Sequence, residues 1–449
     1  MLLKVKEIQI PDENPFQFDV LNRQESAEAL TEFVCSSKEP MVICLNALWG
    51  QGKTTFFKMW KQHLKINDIP TIYFNAWEND FSDDALVCLL GEIHSALPEL
   101  VRAEEKKWVQ EAFDRVLDFG TVLVKHSLTP SKITNYDRHN ENQDLSFVAE
   151  NFAKEQVHQY ERSKKAILNF REALRDFSST ISYGEKQKPL VFIIDELERC
   201  RPDFSIEVLE KIKHFFNVEN IVFILGADKE QLGSSMKAVY GEGLNVDGYF
   251  QRFIDFDYML PAANQARFVQ ALFEEHGFLE YFSSGSAYFQ KLGVIAINVF
   301  ADLFEVYHLS LREQKSACSL LSLAIRTTKT KTELHPIFLC YLIILKVKRA
   351  NIYTDVISGK MLPIELLLAF RKDVQGTNIS AGFCFALEAH IFCSRTASYA
   401  ELLEEARRFF SESELDRMFL EFQRLQRENA IGVLGVLANK LEIISRFKG

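Results

Sequence analysis

The sequence predicts an α/β protein: a parallel β-sheet flanked by helices, with a helical insertion and an all-helical C-terminal region. Three observations lead there. Residues 41–45, 189–194 and 221–225 are short, continuous apolar runs, the pattern of strands buried on both faces of a parallel sheet. Helix-forming stretches separate these runs, which is the alternation of a layered α/β domain. After Pro261 no such run recurs, and Phe and Leu fall at spacings of three and four, as on helix faces.

In chain order, a polar lead-in precedes residues 25–34, whose apolar positions are helical in spacing. Residues 41–45 form the first strand, and a helix follows from about Lys53 through Trp60. The β-branched and aromatic residues 71–77 predict a second strand. Residues 84–180 are charged and helical in pattern, with polar breaks at 129–131 and 135–142. Two further strands end in Asp195 and near Asp228. The expected boundaries are 1–261 for the α/β domain, about 84–180 for its helical insertion, and 262–449 for a helical lid or partner-binding region.

Composition narrows the function classes. The chain has 449 residues, 47% hydrophobic and 25% charged, enough for two or three domains with large cores. A net charge of −10 argues against non-specific binding to nucleic acid or to an anionic membrane. The basic stretch Arg326, Lys329 and Lys331 reads as a solvated loop. Eight cysteines at 35, 44, 88, 200, 318, 340, 384 and 393 lack CxxC spacing and read as reduced core thiols of a cytoplasmic protein. The N-terminus is too polar for a signal peptide. The longest apolar runs, 338–345 and 366–370, fall short of the roughly 18 residues a membrane span needs and read as buried helices.

The chemistry is concentrated after the first strand, where Trp49, Gly50, Gln51, Gly52, Lys53, Thr54 and Thr55 lead into a helix. Glycines let backbone N–H groups turn toward anionic oxygens. The helix beginning near Lys53 offers the positive end of its dipole to the same anion. Lys53 can reach the β- and γ-phosphates of a nucleotide, and the Thr54 hydroxyl can ligate Mg²⁺. The full phosphate-loop pattern has glycine where Ala47 stands.

A phosphate loop needs a metal-holding carboxylate at a neighbouring strand end, and Asp195 fits. Glu196 follows it and is placed to orient an attacking water. Asp228, at the end of the next strand, reads either as a γ-phosphate sensor or as the cap of the helix starting at Lys229. Arg252 and Arg312 are candidate charge stabilisers, the second within the helical region.

These pieces together resemble the KAP family of P-loop NTPases, a branch of the STAND-like ATPases. The resemblance rests on Trp49-Gly50-Gln51-Gly52-Lys53-Thr54, on Phe74-Asn75-Ala76-Trp77, on Asp195-Glu196-Leu197-Glu198-Arg199-Cys200, and on the segment from Tyr249 to Pro261. It covers residues 19–261, with a weaker match at Ser310-Leu311-Arg312-Glu313. Glu stands for the family's Asp at 196 and 198. The resemblance implies binding and hydrolysis of ATP with Mg²⁺, coupled to assembly or to a partner. In bacterial members it often implies exclusion of phage and plasmids. The expected partner, another protein or a second copy of the chain, is assigned to the helical region. The alternative is a nucleotide-gated switch with negligible hydrolysis, acting through protein–protein contacts. A small-molecule kinase would need a substrate-base carboxylate that the sequence does not show.

Overall fold

The computed structural model describes residues 9–36, 38–47, 50–100, 106–127, 145–181, 188–261, 265–284, 287–328, 334–377, 379, 381–395, 404, 406–427 and 429–445. The chain divides into two compact units, Ile8–Ala262 and Ala263–Gly449.

The first unit is built on five parallel strands: β1 (Met41–Asn46), β2 (Thr71–Asn75), β3 (Leu190–Asp195), β4 (Ile221–Ala227) and β5 (Phe256–Met259), in the spatial order β2-β3-β4-β1-β5. The chain leaves β1 toward one edge of the sheet and leaves β4 toward the other. The crevice at the carboxyl ends of β1 and β4 is therefore a topological switch point, where open α/β sheets bind ligands.

Alternate residues of each strand serve opposite faces. On one face Ile43, Leu45, Ile193 and Ile224 pack with helices α1 (Gln24–Cys35) and α2 (Lys53–Ile66) through Leu30, Phe56, Phe57 and Trp60. On the other, Cys44, Phe74, Phe192, Ile194 and Phe223 pack with later helices. These are the short α3 (Ala76–Asn79), then α4 (Ala85–Leu100), α5 (Lys106–Ser127), α6 (Leu145–Ile181), α7 (Pro202–Phe215), α8 (Lys229–Tyr240) and α9 (Val246–Phe250). Helices α4 to α6 form the insertion between β2 and β3, and α5 packs along α6. The polar breaks expected at 129–131 and 135–142 lie outside the described residues.

Two local expectations are corrected. The second strand stops at Asn75, because the Asn75 side chain accepts the Trp77 and Glu78 N–H groups and turns residues 76–79 into a helix. The edge strand β5 was not expected. It has four residues, two of them Phe256 and Met259 with exposed side chains, and so lacks the apolar run of a central strand.

The second unit is helical throughout its described residues. Its helices are α10 (Gln265–His276), α11 (Phe278–Ser283), α12 (Ala287–Val306), α13 (Leu311–Thr327), α14 (Pro336–Lys348), α15 (Ala350–Ser358), α16 (Pro363–Val374), α17 (Ala381–Phe392), α18 (Glu412–Arg427) and α19 (Leu434–Ser445). Helix α14 is its centre. Every residue from Ile337 to Leu345 is buried, and α12, α13, α15 and α17 surround it, as expected for a helix apolar on all sides. Among the described residues no helix is long and apolar enough to cross a membrane.

Candidate functional site

The glycine loop closes onto the start of α2. Gly50 and Gly52 have φ of 82° and 86°, a left-handed conformation that side chains rarely tolerate. Gly52 is the N-cap of α2, with no side chain to block its terminal N–H groups. Trp49 lies outside the described residues. Gln51, Thr54 and Thr55 are half-buried.

Helix α2 is held close to the sheet. Phe56 stacks on Trp60, and the Trp60 Nε1–H donates to Thr31 Oγ1 at 2.9 Å. Beneath the loop, Phe57 lies against Gly226 of β4. A Cβ there would stand 2.2 Å from Phe57 Cε2 and 3.1 Å from Asp195 Oδ1. Glycine is what lets the phosphate-loop helix and β3 approach each other.

Asp195, fully buried at the end of β3, pairs in register with Gly226 on one side and Asn75 on the other. Its carboxylate accepts hydrogen bonds from the Thr54 side chain, from the Tyr73 hydroxyl at 2.9 Å and from the Glu196 N–H at 2.9 Å. Burial nevertheless dominates and raises its carboxyl above the usual range, the three hydrogen bonds opposing the shift. The segments carrying Thr54 and Asp195 are thus brought together.

Lys53 is buried. Its Nζ donates to Ala47 O at 2.8 Å and pairs with Glu198 Oε1 at 3.2 Å, the two side chains being 8% and 6% exposed. Among the described residues Glu198 Oε2 is buried with no hydrogen-bond partner. Glu196 has φ of 61° and pairs with Arg199 Nη1 at 2.9 Å. Arg199 in turn lies over the Trp77 ring, 5.4 Å from its centroid. Arg201 fastens the end of this acidic turn to the loop after α3, through Asp80 at 2.7 and 2.9 Å and the Ser82 carbonyl at 2.8 Å.

Asp228, Arg252 and Arg312 are the remaining expected residues. Asp228 Oδ1 accepts the Glu230 and Gln231 N–H groups at 3.1 and 3.3 Å, which makes it the cap of α8. Arg252 is exposed and lies over the Tyr249 ring at 5.8 Å. Arg312 belongs to the second unit, exposed on the first turn of α13 beside the Ser310–Glu313 capping box.

Three neighbours of the site were not assigned a role there from the sequence. Tyr73 reaches Asp195 across the β2–β3 pairing, where residues on one face stand diagonally opposed. Glu198 was visible as charge but not as the partner of Lys53. Arg23 is 2% exposed. It donates to the carbonyls of Gln51, at 3.5 Å, and of Pro261, and Asp19 caps its own backbone N–H. The site can therefore offer an ammonium and helix N–H groups to an anion, with a hydroxyl–carboxylate pair for a divalent cation beside them.

Comparisons with known proteins follow this geometry. No curated protein matches the chain. Among solved structures it is similar to the Aeropyrum pernix ORC1 protein in complex with DNA, at 13% identity over 94% of this chain and 85% of that one, TM-score 0.34. It is also similar to the Aeropyrum pernix ORC2 protein in its ADPNP–ADP complexes, at 13% identity over 95% of both chains, TM-score 0.31. A third is Cdc6p from Pyrobaculum aerophilum, at 11% identity over 99% of this chain and 98% of that one, TM-score 0.37. Scores this low carry nothing about what the chain binds. The profile of the KAP family P-loop domain matches residues 23–333, well over half of the sequence. The chain belongs to the KAP family of P-loop domains.

Proposed function

We propose that the chain is a Mg²⁺-dependent ATPase whose nucleotide state governs contact with a protein partner or a second copy of itself. Family membership supports nucleotide binding. The observation that carries the finer reading is the approach of α2 to the end of β3: Phe57 lies against Gly226, the register partner of Asp195, and the Thr54 side chain acts on the buried Asp195 carboxyl, which brings the two expected metal ligands together. The residues fit the group. Left-handed glycines at 50 and 52 leave room for phosphate oxygens, the start of α2 supplies N–H donors, and Lys53 supplies the charge. Thr54 and Asp195 would hold Mg²⁺, which when bound neutralises charge on the phosphates. Lys53 and the N–H groups from Gly50 to Thr55 bind and orient the triphosphate, and a carboxylate after Asp195 orients the water. Asp228, Arg252 and Arg312 remain proposed contributors to the nucleotide response.

Calorimetry with MgATP and phosphate release by the full chain test this reading. Lys53→Ala is expected to abolish both, and intact wild-type protein giving no binding heat would end it. The pairing of Glu196 with Arg199 and of Glu198 with Lys53 favours one second reading, a nucleotide-gated switch with negligible hydrolysis. Tight MgATP binding without phosphate release would select it. Exposed Phe409, Phe419, Leu420 and Val436 in the second unit support a protein partner there. A defence role, implied for bacterial relatives by resemblance, would show as plaque reduction that Lys53→Ala removes.

A further inference from the structure

We infer that Glu198 is the second acid of the site: it holds the Lys53 ammonium until a triphosphate displaces it, and its freed carboxylate then orients the attacking water. The inference rests on the reading of this site as a triphosphate site. It assigns to Glu198 the role that sequence position alone gives to Glu196.

Three observations carry it. First, the Glu198 side chain is turned inward, 6% exposed, with Oε1 3.2 Å from Lys53 Nζ. A lysine that binds β- and γ-phosphate oxygens carries its neighbours into the same space, so a carboxylate touching it stands beside the terminal phosphate. Second, Glu198 Oε2 is buried without a hydrogen-bond partner among the described residues. An unsatisfied buried carboxylate oxygen is costly, and its free lone pairs are what a water molecule would fill. Third, Glu196 is turned elsewhere. Its left-handed backbone directs the side chain to Arg199 at 2.9 Å, and Arg199 is stacked on Trp77.

The order of events follows from charge. Glu198 and a terminal phosphate are both anionic and compete for one ammonium. Phosphate wins Lys53 because the α2 N–H groups bind it as well. Glu198, no longer neutralised, accepts a hydrogen bond from water. The water oxygen adds to the γ-phosphorus as the bond from that phosphorus to the bridging oxygen breaks. The bridging oxygen keeps the electron pair and leaves with ADP. The water proton passes to Glu198 and then to the released phosphate.

The test uses the full chain and two readouts. Calorimetry with a non-hydrolysable ATP analogue and Mg²⁺ measures affinity, and single-turnover phosphate release from bound ATP measures hydrolysis. Glu198→Gln is expected to bind the analogue about 10-fold more tightly, because the competitor for Lys53 is weakened, and to hydrolyse at least about 100-fold more slowly. Glu196→Gln removes the same charge two residues away and controls for simple charge removal. Glu198→Ala is the second variant, with thermal melting to confirm folding. Unchanged affinity in the Glu198 variants, equal tightening in Glu196→Gln, or undiminished hydrolysis each overturns the inference. Absence of binding in wild type strikes the site reading itself, so the two failures are distinct.

Discussion

The Tyr73 hydroxyl donates to Asp195 Oδ2 at 2.9 Å, across the pairing of β2 with β3. Burial and the adjacent carboxylate push the Tyr73 phenol well up, so it remains a donor at any ordinary pH. Groups that orient a metal-ligating carboxylate typically account for about 10–100-fold in metal affinity. Tyr73→Phe is therefore expected to weaken Mg²⁺-dependent nucleotide binding by about that factor. Titrating Mg²⁺ at fixed ATP measures it. An unchanged Mg²⁺ midpoint would show that Thr54 and the Glu196 N–H suffice to orient the carboxylate.

The raised carboxyl of Asp195 has a consequence for stability. Its folded-state value lies above the ordinary one because burial disfavours the charge. The sign follows: its contribution to folding is fully present below the ordinary carboxyl value and is lost as pH rises through the raised one. At neutral pH the ionised group is a cost. In Asp195→Asn the amide oxygen keeps the Glu196 N–H, and the Tyr73 and Thr54 hydroxyls can rotate to accept from the new amide N–H groups. The nucleotide-free variant is expected to melt at a higher temperature than wild type at pH 7 while losing Mg²⁺-dependent binding. Melting curves at pH 7 and pH 4 check it, because the gain must shrink in acid.

How much of this was legible in the sequence depends on where each residue's partner sits. Lys53 and Asp195 were readable because strand, glycines and acid occur in fixed local order. The central strands were readable because burial on both faces leaves continuous apolar runs. Asn75 and Trp77 misled: aromatic and β-branched composition spoke for strand, and one side-chain cap made a helix instead. Strand β5 was illegible because among the described residues it pairs only with β1, and three of its four side chains, those of Phe256, Asp257 and Met259, are exposed. Tyr73 and Asp195 are 122 positions apart, and Lys53 and Glu198 are likewise distant. Pattern reading of single segments does not supply such pairings. Asp228 reads in the sequence as either of two roles; its Oδ1 accepts the Glu230 and Gln231 N–H groups, which is capping geometry and leaves the phosphate role a proposal.

The Lys53–Glu198 pair is buried on both sides. Removing one member of such a pair leaves a lone buried charge and typically costs about 3–5 kcal/mol. Lys53→Ala is expected to destabilise nucleotide-free protein by an amount of that order, about 3 kcal/mol or more. The double variant Lys53→Met with Glu198→Gln removes both charges and should recover most of the loss. Denaturant unfolding of wild type, the single variant and the double variant gives the comparison. Equal stability of single and double variants would mean that solvent reaches Glu198 once the lysine is gone. Loss of nucleotide binding in Lys53→Ala is then best judged against the double variant, whose fold is intact by the same measurement.

In the second unit His390 is buried on α17, with Nδ1 donating to the Ala386 carbonyl at 2.7 Å. Burial first, then the positive neighbours Arg424 and His335, lower its pKa to about 4, the backbone hydrogen bond opposing them. A histidine held neutral in the fold but free to ionise when unfolded stabilises above its unfolded value, and that stability is lost as pH falls through the folded one. The window is therefore from about pH 6.5 down to about pH 4, and the full effect is about 3 kcal/mol. His390→Gln retains a donor for Ala386 without the titration. Its melting temperature should fall less steeply than that of wild type between pH 7 and pH 4.5. Parallel slopes for the two proteins would place the acid sensitivity of this unit in other groups.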